Sequence, residues 1–291
     1  MVLRVLFLAF FIVTSCPGIL AASELKIVEV PFVMRNGAVV LPIQVKGTGP
    51  FNIAIATGSS RSTLSWEVHT KLGYQTLFYI DPLTAKQITY AQVSGIQIGE
   101  WKIDTLNMKL GELDAYSKEL GVPLHGIFGH DFLKKQPLQV DYKNNVVRFF
   151  PKGLGDKDPT SNQTSPQSTK TIIQMEITSE EPVPVIKGIL VNGLKIKALV
   201  DSWQNLALSL SPAALKELKI QQPPEKTRPQ VSIINSLQVG ELKQESVKTA
   251  FYSKGTGLDH GLSKYGAILG AGFLSNYIVT FDYSNKQVIF Q

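Results

Sequence analysis

The chain has 291 residues, 44% hydrophobic and 18% charged, a globular balance that excludes a disordered or collagen-like polymer. Its formal net charge of +6 comes from Lys and Arg scattered among acidic residues. With no basic run to mark a nucleic-acid or heparin patch, no nucleic-acid partner is expected.

In chain order, Arg4 is followed by an unbroken apolar run from Val5 to Val13, then Pro17-Gly18 and the small pair Ala21-Ala22. A basic end, a short apolar stretch and small residues at a cut form the layout of a secretory signal peptide. The reading is therefore a signal over 1–22, and a periplasmic or secreted protein. The run is shorter than the ~20 apolar residues needed to span a bilayer. No later segment is apolar enough either, so no membrane span is expected. Cys16, the sole cysteine, lies inside this leader. Two fates stand open for it. It is discarded with the leader, or Val13-Thr14-Ser15-Cys16 acts as a relaxed lipoprotein box and leaves a lipid anchor at Cys16.

Beyond the leader the pattern is mostly strand. Leu41, Ile43 and Val45 alternate with Pro42 and Gln44, and Phe51, Ile53 and Ile55 with Asn52 and Ala54. In the second half Leu194, Ile196, Ala198 and Val200 alternate with Lys195, Lys197 and Leu199. Period-two patterning marks strands with one face buried. Short helices interrupt them. One is predicted over Trp66 to Leu72, closed by Gly73; another follows Ser211-Pro212, an N-cap with proline in the first turn. Between the halves, 151–170 holds Gly153, Gly155, Pro159, Pro166 and many polar residues, a linker composition. It includes Asn162-Gln163-Thr164, a sequon that matters only on a eukaryotic secretory route.

The two halves are copies. Gly126-Ile127-Phe128-Gly129-His130-Asp131-Phe132-Leu133 recurs as Ala267-Ile268-Leu269-Gly270-Ala271-Gly272-Phe273-Leu274, an offset of 141 (270 − 129). The same offset relates Ile96-Gln97-Ile98-Gly99-Glu100 to Leu237-Gln238-Val239-Gly240-Glu241, and Asp141-Tyr142 to Asp282-Tyr283. The expected organisation is an N-terminal lobe over 23–150, the linker, and a C-terminal lobe over 171–291. The expected fold class is all-β, one barrel-like unit used twice.

Each copy also carries a polar turn after an apolar strand. In the first it is Ala56-Thr57-Gly58, in the second Asp201-Ser202-Trp203, at an offset of 145 (201 − 56). A strand ending in such a turn, followed much later by two apolar residues and a glycine (Ile127-Phe128-Gly129 and Ile268-Leu269-Gly270), resembles the aspartic proteases of the pepsin and retropepsin-like families, including two-lobed bacterial-type members. The resemblance covers nearly the whole chain after the leader. It implies two acid-protease-type lobes and an extended peptide or protein segment in the cleft between them. It also implies that Asp201 and the residue at 56 stand where the catalytic pair stands. Thr57 and Ser202 then hydrogen-bond across the lobe junction, and glycine at 58 admits backbone N–H groups to the carboxylates.

The chain departs from that pattern in two places: Ala56 stands where the family has aspartate, and Trp203 where it has glycine. The family mechanism needs two carboxyls sharing one proton. Asp201 alone has no like-charged neighbour to split its titration. The reading is an impaired or inactive aspartic-type endopeptidase that still binds peptide. Two alternatives stand beside it: an active peptidase that uses Asp201, and a non-enzymatic envelope or structural protein whose cleft is closed by Trp203.

Other chemistry finds little support. His69, His125, His130 and His260 do not pair at metal-ligand spacing, and neither a metal nor a cofactor is expected. His130-Asp131, beside Gly129, is read as structural. Ser59-Ser60 lacks the nucleophile elbow of serine hydrolases. The stretches Phe78 to Tyr90 and Thr227 to Val239 lie where the family has flaps, so Tyr79 and Tyr90 are candidate ligand contacts or ordinary strand aromatics.

Overall fold

The computed structural model describes residues 27–80, 85–151, 170–178, 182–254, 262 and 264–291. The leader with Cys16, and 152–169 of the linker with its sequon, lie outside the described residues.

The first half runs β1 (Val28–Pro31), β2 (Val33–Arg35), β3 (Ala38–Val45), β4 (Thr48–Ile55), β5 (Thr63–Ser65), α1 (Trp66–Lys71), β6 (Leu77–Ile80), β7 (Gln87–Ile98), β8 (Trp101–Gly111), α2 (Asp114–Leu120), β9 (Gly126–Phe128), α3 (His130–Leu133), β10 (Leu138–Asp141) and β11 (Val146–Phe149). The second runs β12 (Thr171–Glu176), β13 (Val185–Val191), β14 (Leu194–Asp201), β15 (Leu208–Leu210), α4 (Pro212–Glu217), β16 (Gln230–Val239), β17 (Leu242–Phe251), β18 (Ala267–Gly270), α5 (Ala271–Leu274), β19 (Ile278–Asp282) and β20 (Gln287–Phe290).

The fold is all-β with two lobes. In the first, β3-β4-β9-β5-β8-β7 closes into a barrel where Gln44 pairs with Gln97 and Val45 with Ile96. In the second, β13-β14-β18-β15-β17-β16 closes in the same way, where Leu190 pairs with Gln238 and Val191 with Leu237. Closure removes most free sheet edges. The repeated glycines Gly99 and Gly240 make the β7–β8 and β16–β17 turns at φ +55° and +59°, a backbone region that suits glycine.

A third layer joins the lobes. Strands β1, β11 and β10 from the first half and β19, β20 and β12 from the second form a continuous sheet through the antiparallel β10–β19 pair. At its centre Gln139 faces Thr280, its own equivalent in the duplication (280 − 139 = 141), so the pseudo-twofold axis passes between them. Their side chains meet, with Gln139 Nε2 donating to Thr280 Oγ1 at 3.0 Å. Nearby, Arg148 pairs with Asp141 at 3.2 Å and with Glu29 at 2.6 Å.

The short helices follow their sequence signals. Ser65 Oγ accepts from Val68 N at the start of α1, and Ser211 Oγ accepts from Ala214 N at the start of α4, where Pro212 occupies the first turn. The strand alternation holds over β3, where Leu41, Ile43 and Val45 are buried and Pro42 and Gln44 exposed. It breaks in two places. Ala54 is buried as fully as its neighbours, because α2 covers the outer face of β3, β4 and β9 over a second apolar cluster that includes Ala38, Val40, Leu113 and Leu124. In β14 Leu199 is buried against Val183, Val185 and Tyr265, whereas Leu194 at the strand start is exposed. The core is built on repeated aromatics carried by α3 and α5: Phe132 stacks on Phe128 at 4.0 Å, and its equivalent Phe273 meets Phe290 edge-on at 5.9 Å. Each such ring contributes about 2–3 kcal/mol of burial. No helix among the described residues is long and apolar enough to cross a membrane.

Candidate functional site

The parallel pairs β4–β9 and β14–β18 bring the two polar turns to the lobe junction, face to face. Thr57 and Ser202 are fully buried there. Thr57 Oγ1 donates to Val200 O at 2.9 Å and accepts from Ser202 N at 2.9 Å. Ser202 Oγ donates to Ile55 O at 3.0 Å and accepts from Thr57 N at 3.2 Å. Each hydroxyl thus donates and accepts across the junction. This arrangement satisfies backbone groups that burial would otherwise leave unpaired, at about 1–3 kcal/mol each.

Asp201 ends β14 at the floor of the cleft, with part of its surface open to it. Trp203 N donates to its Oδ1 at 3.0 Å, and the Gly58 backbone donates to it from the other lobe. Burial pushes the carboxyl above its ordinary range, and these two amides pull it back down. Gly58 is required by contact. A Cβ built there would lie 2.6 Å from Asp201 Cγ and 2.7 Å from Oδ2. Bare glycine is what lets the opposite turn touch the acid.

The other side of the junction is different. Ala56 is 5% exposed and belongs to the apolar cluster under α2, and the Trp203 side chain packs onto that cluster. The indole meets the Tyr116 ring at 5.4 Å between centroids and 58° between planes. The duplication gives a reason. Gly58 and Trp203 are equivalent (203 − 58 = 145), as are Ala56 and Asp201. By this equivalence, a Cβ at 203 should crowd an acid at 56 as a Cβ on Gly58 would crowd Asp201. Alanine at 56 leaves the room that tryptophan at 203 needs. The indole lines a cleft of about 500 Å³ and does not close it; Asp201, Tyr116, Glu119, Ile127 and Gln204 share the lining.

The glycines of the two repeated motifs serve these turns. A Cβ on Gly129 would lie 2.7 Å from Arg61 O, and one on Gly270 would lie 2.2 Å from Leu206 O. Asp131 accepts from Ser62 N at 2.8 Å, Ser62 Oγ at 2.5 Å and Phe132 N at 2.8 Å, so it braces the first turn from behind. His130 lies buried, edge-on to Tyr283 at 5.0 Å, and burial pulls its imidazole down. Tyr283 and its equivalent Tyr142 are buried with hydroxyls that have no partner among the described residues. Burial first, and then the negative field of Asp201, push both phenols up.

Residues 77–80 and 87–90 do form a hairpin, in which Tyr79 pairs with Ile88 and its ring meets Tyr90 edge-on at 6.1 Å. The two tyrosines line a separate pocket with Arg61 and Lys109 and are not among the residues lining the cleft at Asp201. In the second lobe no equivalent hairpin forms within Thr227 to Val239; Gln230–Val239 is a long strand against β17. Tyr116 and Glu119 were not singled out by the sequence pattern. Three apart on α2, they share a face, and Gly121 at φ +67° after Leu120 was the signal that a helix ends there. Among the described residues no group of three His, Cys, Asp or Glu could hold a metal ion. No family model matches the chain and no curated protein does, so the chemistry of this cleft rests on its own atoms.

Proposed function

We propose that this chain is an exported aspartic-protease-like protein that has lost its catalytic pair and holds an extended peptide segment in the inter-lobe cleft without cutting it. The observation that supports this reading is the four-bond lock around Thr57 and Ser202, with Asp201 on one side of the axis and Ala56 on the other. Proteolysis by this machinery needs one carboxylate to take a proton from water and one carboxylic acid to polarise the scissile carbonyl. Asp201 can perform one role at a time. Ala56 offers no second acid, and the indole of Trp203 takes the side of the cleft where one would stand. Loss of one member of a unit that acts together removes most of the catalysis. Peptide binding does not depend on the pair, since main-chain pairing and side-chain pockets supply it.

The test is cleavage of a mixed peptide library from acid to neutral pH, read by mass spectrometry. It is run on the wild-type protein, on Ala56→Asp, on Asp201→Asn, and on Ala56→Asp with Trp203→Gly. A second arm incubates the wild type with the same library and identifies peptides that co-elute with it. Expected are intact peptides retained by the wild type, no cleavage by Ala56→Asp, and cleavage by the double variant. Cleavage by the wild type that Asp201→Asn abolishes would overturn the reading in favour of an active peptidase.

A further inference from the structure

The cleft at Asp201 has an unusual lining for this protein. The chain carries a formal net charge of +6, yet no Lys, Arg or His lines the cleft among the described residues, whereas Asp201 and Glu119 both do. Beside them stand two aromatic rings. Tyr116 and Trp203 lie 5.4 Å apart with planes at 58°, two walls of an open corner, and Tyr116 is 44% exposed. Glu119 is tethered: Asn36 Nδ2 donates to its Oε1 at 3.2 Å, and Asn205 Nδ2 from the other lobe donates to Asn36 Oδ1 at 2.9 Å. That chain of amides holds one carboxylate at the rim and ties it to the second lobe.

Angled aromatic faces with carboxylates beside them attract cationic nitrogen, because the ring faces are negative and the counter-charge is already in place. We propose that this corner is the specificity pocket for a basic side chain, the ammonium of lysine or the guanidinium of arginine, carried on an extended peptide. Trp203 and Tyr116 flank the cation, and Glu119 and Asp201 face it. The inference rests on the peptide-binding reading and names the class of segment bound. It also gives Trp203 a role beyond filling space, as one wall of the pocket.

The experiment measures binding of fluorescently labelled pentapeptides, blocked at both ends, that differ only at the central residue: lysine, arginine, norleucine or glutamate. Each is titrated into the full chain at low and at physiological salt. Expected is at least tenfold tighter binding of the lysine and arginine peptides than of the norleucine peptide, with the gap narrowing as salt rises. Glu119→Gln, which keeps the Asn36 hydrogen bond, and Tyr116→Leu at its exposed position should each shrink that gap about threefold or more. Equal binding of norleucine and lysine peptides, or preference for glutamate, overturns the cation pocket and leaves the peptide-binding reading standing. Binding of tetramethylammonium, seen as a shift of the Trp203 indole resonance, with no affinity for any peptide, overturns both the peptide reading and the proposal that a peptide supplies the cation. No binding by any probe overturns the pocket.

Discussion

Placing aspartate at position 56 should damage the protein unless Trp203 is removed with it. The Gly58–Asp201 contact gives the scale: a Cβ at 58 would lie 2.6 Å from the Asp201 carboxyl carbon, and the duplication carries that geometry over to Trp203 and residue 56. Ala56→Asp alone therefore forces a clash, worth about 1–3 kcal/mol for an overpacked site. It also sets a second carboxyl at the cleft floor, where residue 56 and Asp201 share the lining and two like charges oppose each other at neutral pH. Trp203→Gly alone should cost about 2–3 kcal/mol, below the usual range for a fully buried aromatic because the indole is only partly buried. If the clash is the reason for the pairing, the double variant should be about 1–3 kcal/mol more stable than the sum of the two, the size of the clash that Trp203→Gly relieves. The assay is urea unfolding of all four proteins by far-ultraviolet circular dichroism, since tryptophan fluorescence is itself altered. It is run at pH 5, where facing carboxyls can share a proton, and again at neutral pH, where both variants that carry Ala56→Asp should lose stability while the coupling between them and Trp203→Gly is unchanged. Additivity within about 0.5 kcal/mol would refute the equivalence of the two contacts.

Three further outcomes follow from the same geometry. Thr57→Val removes two buried cross-junction hydrogen bonds and should lower Tm by roughly 5–10 °C, against about 1 °C for the exposed Thr70→Val; calorimetry decides between them. The raised Asp201 pKa means the folded state holds that proton more tightly than the unfolded chain, so stability falls as pH rises from the ordinary carboxylate value of 3.8 through the raised one. Asp201→Asn should therefore match the wild type in strong acid and exceed it at neutral pH, and unfolding curves in which the wild type gains over that range would contradict this. Gly270→Ala should destabilise by about 2 kcal/mol or more, because its Cβ would meet the Leu206 and Gln204 carbonyls at 2.2 and 2.4 Å, both backbone atoms with little room to move; chemical denaturation measures it.

The barrels were legible in the sequence because one face of β3 and β4 alternates cleanly and because the copies keep a constant offset. Two things were hidden. The sheet that joins the lobes is built from strands the repeat already marks, at Asp141 and Asp282, but a repeat does not tell which strands pair across copies. The burial of Ala54 and Leu199, against the expected alternation, comes from covering the outer barrel face, a tertiary effect that periodicity along one strand does not carry. At the site, Thr57, Gly58, Asp201 and Ser202 were marked by their place in the repeated turn. The direction of the Trp203 ring was not, since it depends on Tyr116, which is 87 positions away (203 − 116) and joined by no local pattern.

The pair at the pseudo-twofold axis carries a consequence of its own. In an assembly of two identical chains, the residues that face each other across such an axis must be the same, so glutamine could meet only glutamine there. Here one covalent chain supplies both sides, and an amide donor sits opposite a hydroxyl acceptor. That freedom to change one half without the other is also what an unequal cleft requires, with a carboxyl from one lobe opposing an apolar wall from the other. A symmetric dimer of either half would have two acids or none.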